Sequence, residues 1–392
     1  MGDPLAWLNE ALEQRKAQNL FRRLRDRDSA QRAHIVLDGR NLVNFGSNDY
    51  LGLACDERVC RAVVDAVEEF GWGAGASPLV TGHSRLHREL EAALAAFEQT
   101  EAALVFPSGF AANCGTLAAL ATQGDVIFND RKNHASLWDG SRLSRADVRV
   151  YPHNDVASLR KLLDRYAARY RRRLIVTDTI FSMDGDLAPL PELVELADKF
   201  EAILVVDEAH ATGVFGEKGT GVVEHFGLKE RVPVRIGTLS KALGSQGGFV
   251  AGDRCLIEWL VNHARSYIYS TASPAAVAAA SLAALEIVRT EPHRRCELLA
   301  CARRLREALR DQGWRLGPSE SQIVPVIVGL PDRAVKLSAA LSEEGFFVPA
   351  IRPPTVPEGE ACLRISVAWP HCEAEIDRLI EVMASLRRTF GD

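Results

Sequence analysis

The sequence predicts an α/β fold, a mostly parallel seven-stranded sheet followed by a smaller α+β C-terminal lobe. Three observations predict it. Seven short apolar runs alternate with helical segments between residues 103 and 251. The runs are continuous Val/Ile/Leu stretches, not in–out alternations, so both faces of each strand are buried, as in a parallel sheet covered by helices. Past an Ala-rich helix at about Ala275–Arg289 the pattern changes to further helices with only two short strands. A chain of 392 residues is long enough for a large core and a second lobe.

In chain order, Leu5 to about Asp26 reads as an amphipathic helix rich in Arg at its end. His34–Leu37 and Asn41–Phe45 flank an Asp38-Gly39-Arg40 turn, the pattern of a hairpin. Asp56 to Phe70 is helical, the Gly-rich GWGAGAS stretch interrupts, and helical periodicity resumes from Ser84 to Gln99. The seven strands are Ala103–Phe106, Val126–Asn129, Val148–Tyr151, Leu174–Thr177, Ile203–Val206, Val234–Gly237 and Gly248–Ala251. Helices such as Leu159–Tyr170 and Leu190–Phe200 separate them. Ile323–Val328 and Cys362–Val367 are strands of the last lobe. The resulting division is an N-terminal helix and hairpin (1–50), a large α/β domain (51–285) and a small α+β domain (286–392).

Composition narrows the function classes. A net charge of −5 gives no reason to expect a nucleic-acid partner, and the basic run Arg169–Arg173 reads as a solvated helix end before a strand. Eight cysteines include no CxxC pair, which argues against zinc and against a disulfide scaffold and for reduced thiols. The N-terminus lacks an apolar core of the signal-peptide kind, and nowhere do about 18 apolar residues run together. A cytoplasmic protein with no membrane association is expected.

In open α/β sheets ligands bind beyond the carboxyl ends of the strands. Four such ends carry unusual residues. Pro107-Ser108-Gly109-Phe110 leads into the helix AANCGTLAAL, whose free N–H groups suit a phosphate; many ordinary strand-to-helix turns also contain Ser-Gly. Asp207 ends the apolar run AILVVD, where an acid is costly unless something positive faces it, and His210 follows within reach of the same pocket. Asp207 as a plain helix cap is the competing reading. Lys241 lies in GTLSKALG after another strand, where desolvation favours the neutral amine that Schiff-base chemistry needs. The Asp178–Asp186 segment, TIFSMDGD, offers the Ser182 hydroxyl; its paired acids read as a structural turn and not as a metal site.

These pieces fit one cofactor. A pyridine ring acting as electron sink needs an anionic partner for its nitrogen, and Asp207 is suited to that. Gly109, Phe110, Thr238 and Ser240 suit its phosphate, Lys241 its aldehyde, and His134 offers a planar ring to stack on it. A dinucleotide fingerprint at Gly71, Gly73 and Gly75 is the rival, but that cluster follows a helix instead of a strand. A non-catalytic binding module is disfavoured because every chemical position is filled.

The motifs PSGFAAN (107–113), NHAS (133–136), FSMDGD (181–186), VVDEAHATGVFG (205–216) and GTLSKALGSQGG (237–248) resemble the α-oxoamine synthases, fold-type I pyridoxal-phosphate enzymes. The resemblance runs in order from about Leu8 to Val382. It implies a PLP-dependent acyltransferase that joins an amino acid to an acyl thioester with loss of carbon dioxide, the cofactor bound in the 51–285 domain. IRPPTVP (351–357), SNDYLGL (47–53) and Arg22 resemble the branch of the family that uses L-alanine and a pimeloyl thioester, on CoA or acyl carrier protein, in biotin biosynthesis; the alternative is a family member taking glycine and acetyl-CoA. By the same resemblance Lys241 is the Schiff-base lysine and general acid/base. Asp207 pairs with the pyridine nitrogen, His134 stacks on the ring, and Ser182 and His210 contact its hydroxyl. Gly109, Phe110, Thr238 and Ser240 hold the phosphate. Arg352 binds the amino-acid carboxylate, Arg22 and Thr355 contact the acyl substrate or its carrier, and Asn48 lies close by. A homodimer with shared sites is implied, with Thr271 reaching the neighbour's phosphate. The stretch GAGASPLVTGHSRLHRELE (73–91) differs among branches and leaves acyl-chain preference open.

Overall fold

A computed structural model describes residues 3–390. Its strands, in chain order, are β1 (His34–Leu37), β2 (Arg40–Asn44), β3 (Ala102–Phe106), β4 (Val126–Asp130), β5 (Asp147–Tyr151), β6 (Arg173–Asp178) and β7 (Ile203–Asp207). After them come β8 (Val234–Thr238), β9 (Gly248–Gly252), β10 (Ile323–Gly329), β11 (Phe346–Phe347), β12 (Ala350–Ile351) and β13 (Ala361–Ser366). The chain forms two compact units. Among the described residues the larger comprises 51–182 and 187–296, the smaller 3–50, 183–186 and 297–390.

The larger unit is built on a seven-stranded sheet of order β3-β9-β8-β7-β6-β4-β5. Only β9 runs against its neighbours; β8, β7, β6, β4 and β5 pair in parallel. All seven predicted strands are present, each within a residue of its expected bounds. The apolar runs of six strands are largely buried because helices cover the sheet. The expectation of burial on both faces fails at the edge strand β5, whose run VRVY is interrupted by Arg149 and leaves Val148 half-buried and Val150 exposed. Leu104, Phe106, Ile127, Leu174, Val176, Val205, Ile236 and Val250 pack with Ala112 and Leu117 of the helix Gly109–Leu120 in one core. Val126, Ile127, Phe128, Leu174, Ile175, Val176, Leu204, Val205 and Val206 are all fully buried. The Ala-rich helix runs Ala275–Thr290 as expected.

The smaller unit holds two three-stranded sheets, β1-β2-β11 and β10-β13-β12. Two expectations are corrected in it. The first helix spans only Trp7–Ala17 and buries none of its residues, so it does not continue to Asp26. Asn19 takes a left-handed conformation (φ 55°), which stops the helix. Arg25 then pairs with Asp38, and the Asp26 N–H donates to the same carboxylate, tying that stretch to the hairpin. The hairpin turn has two central residues, not three. Leu37 pairs with Arg40, leaving Asp38 (φ 50°) and Gly39 (φ 73°) as a primed turn whose twist matches the strands. No helix among the described residues is long and apolar enough to cross a membrane, and all eight cysteines are free thiols.

Candidate active site

Parallel pairing sets the strand ends side by side. Asp178 at the end of β6 is in register with Asp207 at the end of β7, and Asp207 with Ile236 of β8, two residues before Thr238. Lys241, three residues past the end of β8, is half-buried, and its Nζ lies 3.0 Å from His210 Nε2. His210 is 5% exposed. The two nitrogens share a hydrogen bond whose direction follows the His210 tautomer.

Asp207 is 4% exposed, which would be costly for a lone carboxylate. Its Oδ1 accepts from the Ala209 N–H at 2.7 Å and its Oδ2 from the Asn113 amide at 2.6 Å. Both donors are neutral, so the carboxylate has its hydrogen bonds but neither of them brings a countercharge. A buried acid so held fits a cationic N–H of a bound ring.

The second element is the β3-to-helix turn. Ser108 caps the helix Gly109–Leu120, its hydroxyl accepting from the Ala111 N–H. A side chain on Gly109 would point at Thr238, with a Cβ 3.4 Å from Thr238 Oγ1. A side chain on Gly248 would meet the Gly109 backbone, 2.5 Å from its Cα. The two glycines therefore allow β9 and the helix start to approach until the Thr238 hydroxyl stands at the helix N-terminus. Thr238 Oγ1 donates to the Gly247 carbonyl (2.8 Å) and lies 2.7 Å from Ser240 Oγ. Free N–H groups, two hydroxyls and a gap that a Cβ would fill form a cradle suited to a phosphate. Ser240 and Phe110 are exposed at this place.

His134 caps the helix Ala135–Leu143 beyond β4. Its backbone N–H donates to Asp178 Oδ2 (2.7 Å), and its Nδ1 meets Ser136 Oγ at 2.7 Å. Burial lowers the His134 pKa below the usual imidazole value; the Asp207 charge opposes this and Lys241 reinforces it. Asp178 moves the opposite way, raised well above the usual carboxylate value by burial and then by Asp207, with the His134 N–H and Lys241 acting against the rise. Ser182 is half-buried two residues past the Ile180–Leu187 bridge, and Thr271 is exposed just before Ala272, whose N–H donates to the Ala76 carbonyl. Gly71 closes the helix Glu57–Phe70, which removes the dinucleotide alternative.

In the smaller unit the substrate candidates fall into two groups. Arg22 donates to Thr355 Oγ1 at 3.1 Å, and Arg352 donates to the Asn19 carbonyl. Burial, and then the neighbouring Arg22 charge, lower the Arg352 pKa. Asn48 belongs elsewhere, its Oδ1 accepting from Arg364 (3.1 Å) and from the Tyr50 hydroxyl (3.0 Å). Arg364 also donates to Ser366 Oγ and is 5% exposed.

Among the residues of these networks, Asn113, Ser136, Asp178 and Arg364 received no role from the sequence. Signals for them existed. Asn113 interrupts the apolar helix GFAANCGTLAAL and Arg364 the apolar strand ACLRIS, and polar groups buried in such places need partners. Asp178 ends LIVTD as Asp207 ends LVVD.

A family model described as aminotransferase class I and II matches residues 40–383. The 8-amino-7-oxononanoate synthase of Geotalea daltonii is 47% identical over 384 residues, 97% of this chain and 98% of that protein. That of Nitrosococcus oceani is 49% identical over 376 residues, 96% of this chain and 99% of that protein. Among solved structures, the serine palmitoyltransferase of Sphingomonas wittichii superposes with a TM-score of 0.94 at 34% identity, covering 100% of this chain and 99% of that one. A structure of SPT with PLP superposes with a TM-score of 0.93 at 31% identity, covering all of both chains.

Proposed function

The chain belongs to the aminotransferase class I and II family, and from that premise we propose its reaction: decarboxylative condensation of L-alanine with a pimeloyl thioester, giving 8-amino-7-oxononanoate for biotin biosynthesis. It is a PLP-dependent acyltransferase. The observation that carries the reading is Lys241 Nζ lying 3.0 Å from His210 Nε2 at the strand ends that also present buried Asp207.

Pyridoxal phosphate, when bound, supplies an aldehyde for amine exchange and an electron sink for the substrate's Cα carbanion. Asp207 holds the proton on the ring nitrogen, and the helix start at Gly109–Phe110 with Thr238 and Ser240 holds the phosphate. His134 forms the wall of the ring's pocket. His210 and Ser182 serve the ring hydroxyl, with His210 steering Lys241 Nζ. Lys241 takes the alanine Cα proton and returns a proton after carbon dioxide has left. On the smaller unit, Arg352 is assigned to the alanine carboxylate, Arg22 and Thr355 to the acyl donor, and Asn48, which pairs with Arg364 and not with Arg352, to the substrate. Buried Arg364 donates to Asn48 Oδ1 and so positions that amide. We place the enzyme in the cytoplasm as a homodimer in which exposed Thr271 serves the neighbour's phosphate.

Purified protein loaded with PLP and given alanine or glycine, with pimeloyl-CoA, pimeloyl-acyl carrier protein or acetyl-CoA, tests the reading. Alanine with a pimeloyl donor is expected to release thiol and carbon dioxide in equal amounts; preference for glycine with acetyl-CoA overturns it. Lys241→Ala is expected to lose turnover and the lysine-linked visible absorbance together, and a variant keeping both refutes its role.

A further inference from the structure

His134 stands next to a chain of hydrogen bonds whose directions are determined at every link. Asn113 Nδ2 lies 2.6 Å from Asp207 Oδ2 and 2.8 Å from Ser136 Oγ. A carboxylate oxygen only accepts, so the Asn113 amide turns its NH2 group that way and places one hydrogen on each neighbour. Its carbonyl oxygen is left buried without a hydrogen-bond partner, a cost that fits an orientation imposed by Asp207. Ser136, fully buried, accepts from Asn113 and therefore directs its own hydrogen to its remaining neighbour, His134 Nδ1 at 2.7 Å. The Ser136 backbone N–H points at the same nitrogen from 3.3 Å. Two donors converge on Nδ1, so the ring proton sits on Nε2.

We propose that Asn113 and Ser136 are positioning residues that lock His134 as the neutral Nε2–H tautomer and tie that choice to the charge on Asp207. In this state Nδ1 is occupied and Nε2 carries hydrogen, so the ring's remaining nitrogen is a hydrogen-bond donor and its face a stacking surface. It is not a base, and Lys241 remains the proton acceptor. The ionisable groups in electrostatic contact with the ring are Asp207, Lys241 and Asp139, and Asp178 holds its backbone N–H. The inference rests on the reading that PLP binds here only for its catalytic consequence; the tautomer itself belongs to the unloaded protein.

The test is nitrogen NMR of histidine-labelled protein without cofactor, the His134 signal identified by its loss in His134→Asn. Wild type is expected to show a neutral ring protonated on Nε2 at pH 7. Ser136→Ala removes one of the two donors to Nδ1. It is expected to shift the tautomer ratio about 5- to 30-fold toward Nδ1–H and to raise the His134 midpoint by about one pH unit. Asn113→Ala, which frees the Ser136 hydrogen, is expected to move the same signals in the same direction. A wild-type ring protonated on Nδ1, or a His134 signal indifferent to both substitutions in variants whose circular dichroism matches wild type, overturns the proposal. In the loaded enzyme both substitutions are expected to lower kcat more than they raise KM and to shift the pH profile. A wild type that binds no PLP would instead overturn the function proposed above and leave the NMR result standing.

Discussion

His371 offers a quantitative test of how the smaller unit is held together. It is 5% exposed, stacked on Phe45 with ring centroids 4.1 Å apart. Its Nδ1 accepts from the Ala368 N–H at 3.0 Å, and its Nε2 lies 3.0 Å from the Asn44 carbonyl, to which it donates. Protonating Nδ1 would turn that acceptor into a second donor facing an N–H. Burial brings the pKa from 6.5 down to about 4, with Glu375 and the Asn44 carbonyl opposing and His34 reinforcing the shift; His34 itself pairs with Glu375 at 2.5 Å. Because the folded-state value is depressed, the unfolded chain takes up the proton first. The stabilisation is full above pH 6.5 and is lost as the pH falls toward 4. The gap corresponds to roughly 3 kcal/mol, a large part of a typical net stability of about 5–15 kcal/mol. His371→Gln keeps an acceptor and a donor but no titration. In urea unfolding, wild type is expected to lose about 3 kcal/mol more than this variant between pH 7.5 and 4. Parallel curves for the two proteins would refute the reasoning.

Two substitutions in the larger unit probe the cofactor cradle and the charge beneath it. Gly248→Ala places a Cβ 2.5 Å from the Gly109 Cα, so backbone must shift; a stability loss of about 1–3 kcal/mol and weaker retention of PLP are expected, measured by thermal unfolding and by absorbance after dialysis. Asp207→Asn removes the charge while keeping the volume, and its new NH2 group must face either Asn113 Nδ2 or the Ala209 N–H. Turnover is expected to drop on the order of a hundredfold or more, with circular dichroism unchanged; near-normal turnover would show that the ring nitrogen needs no anion.

Much of the larger unit was legible from residue order alone because its strands are local and mostly apolar, with Arg149 in β5 and Arg235 in β8 as the interruptions. Strand ends are where polar residues reappear, so Asp207, Lys241 and the Gly109 turn were read together as one candidate site. The first helix was misread because only its sequence pattern was visible. The pairing of Arg25 and Asp26 with Asp38 is a contact between distant segments, and it competes with helical continuation.

The sequence by itself determined the fold class, the seven strands and the identity of the chemical groups, since these follow from local periodicity and from side-chain chemistry. Tertiary structure decided which groups meet. Register across β6 and β7 sets Asp178 beside Asp207, and helix packing on the sheet brings Asn113 to Asp207 across 94 positions of chain. Tautomers and shifted pKa values depend on such contacts and on burial, which hydrogen-bond geometry and excluded water create only once the chain is folded.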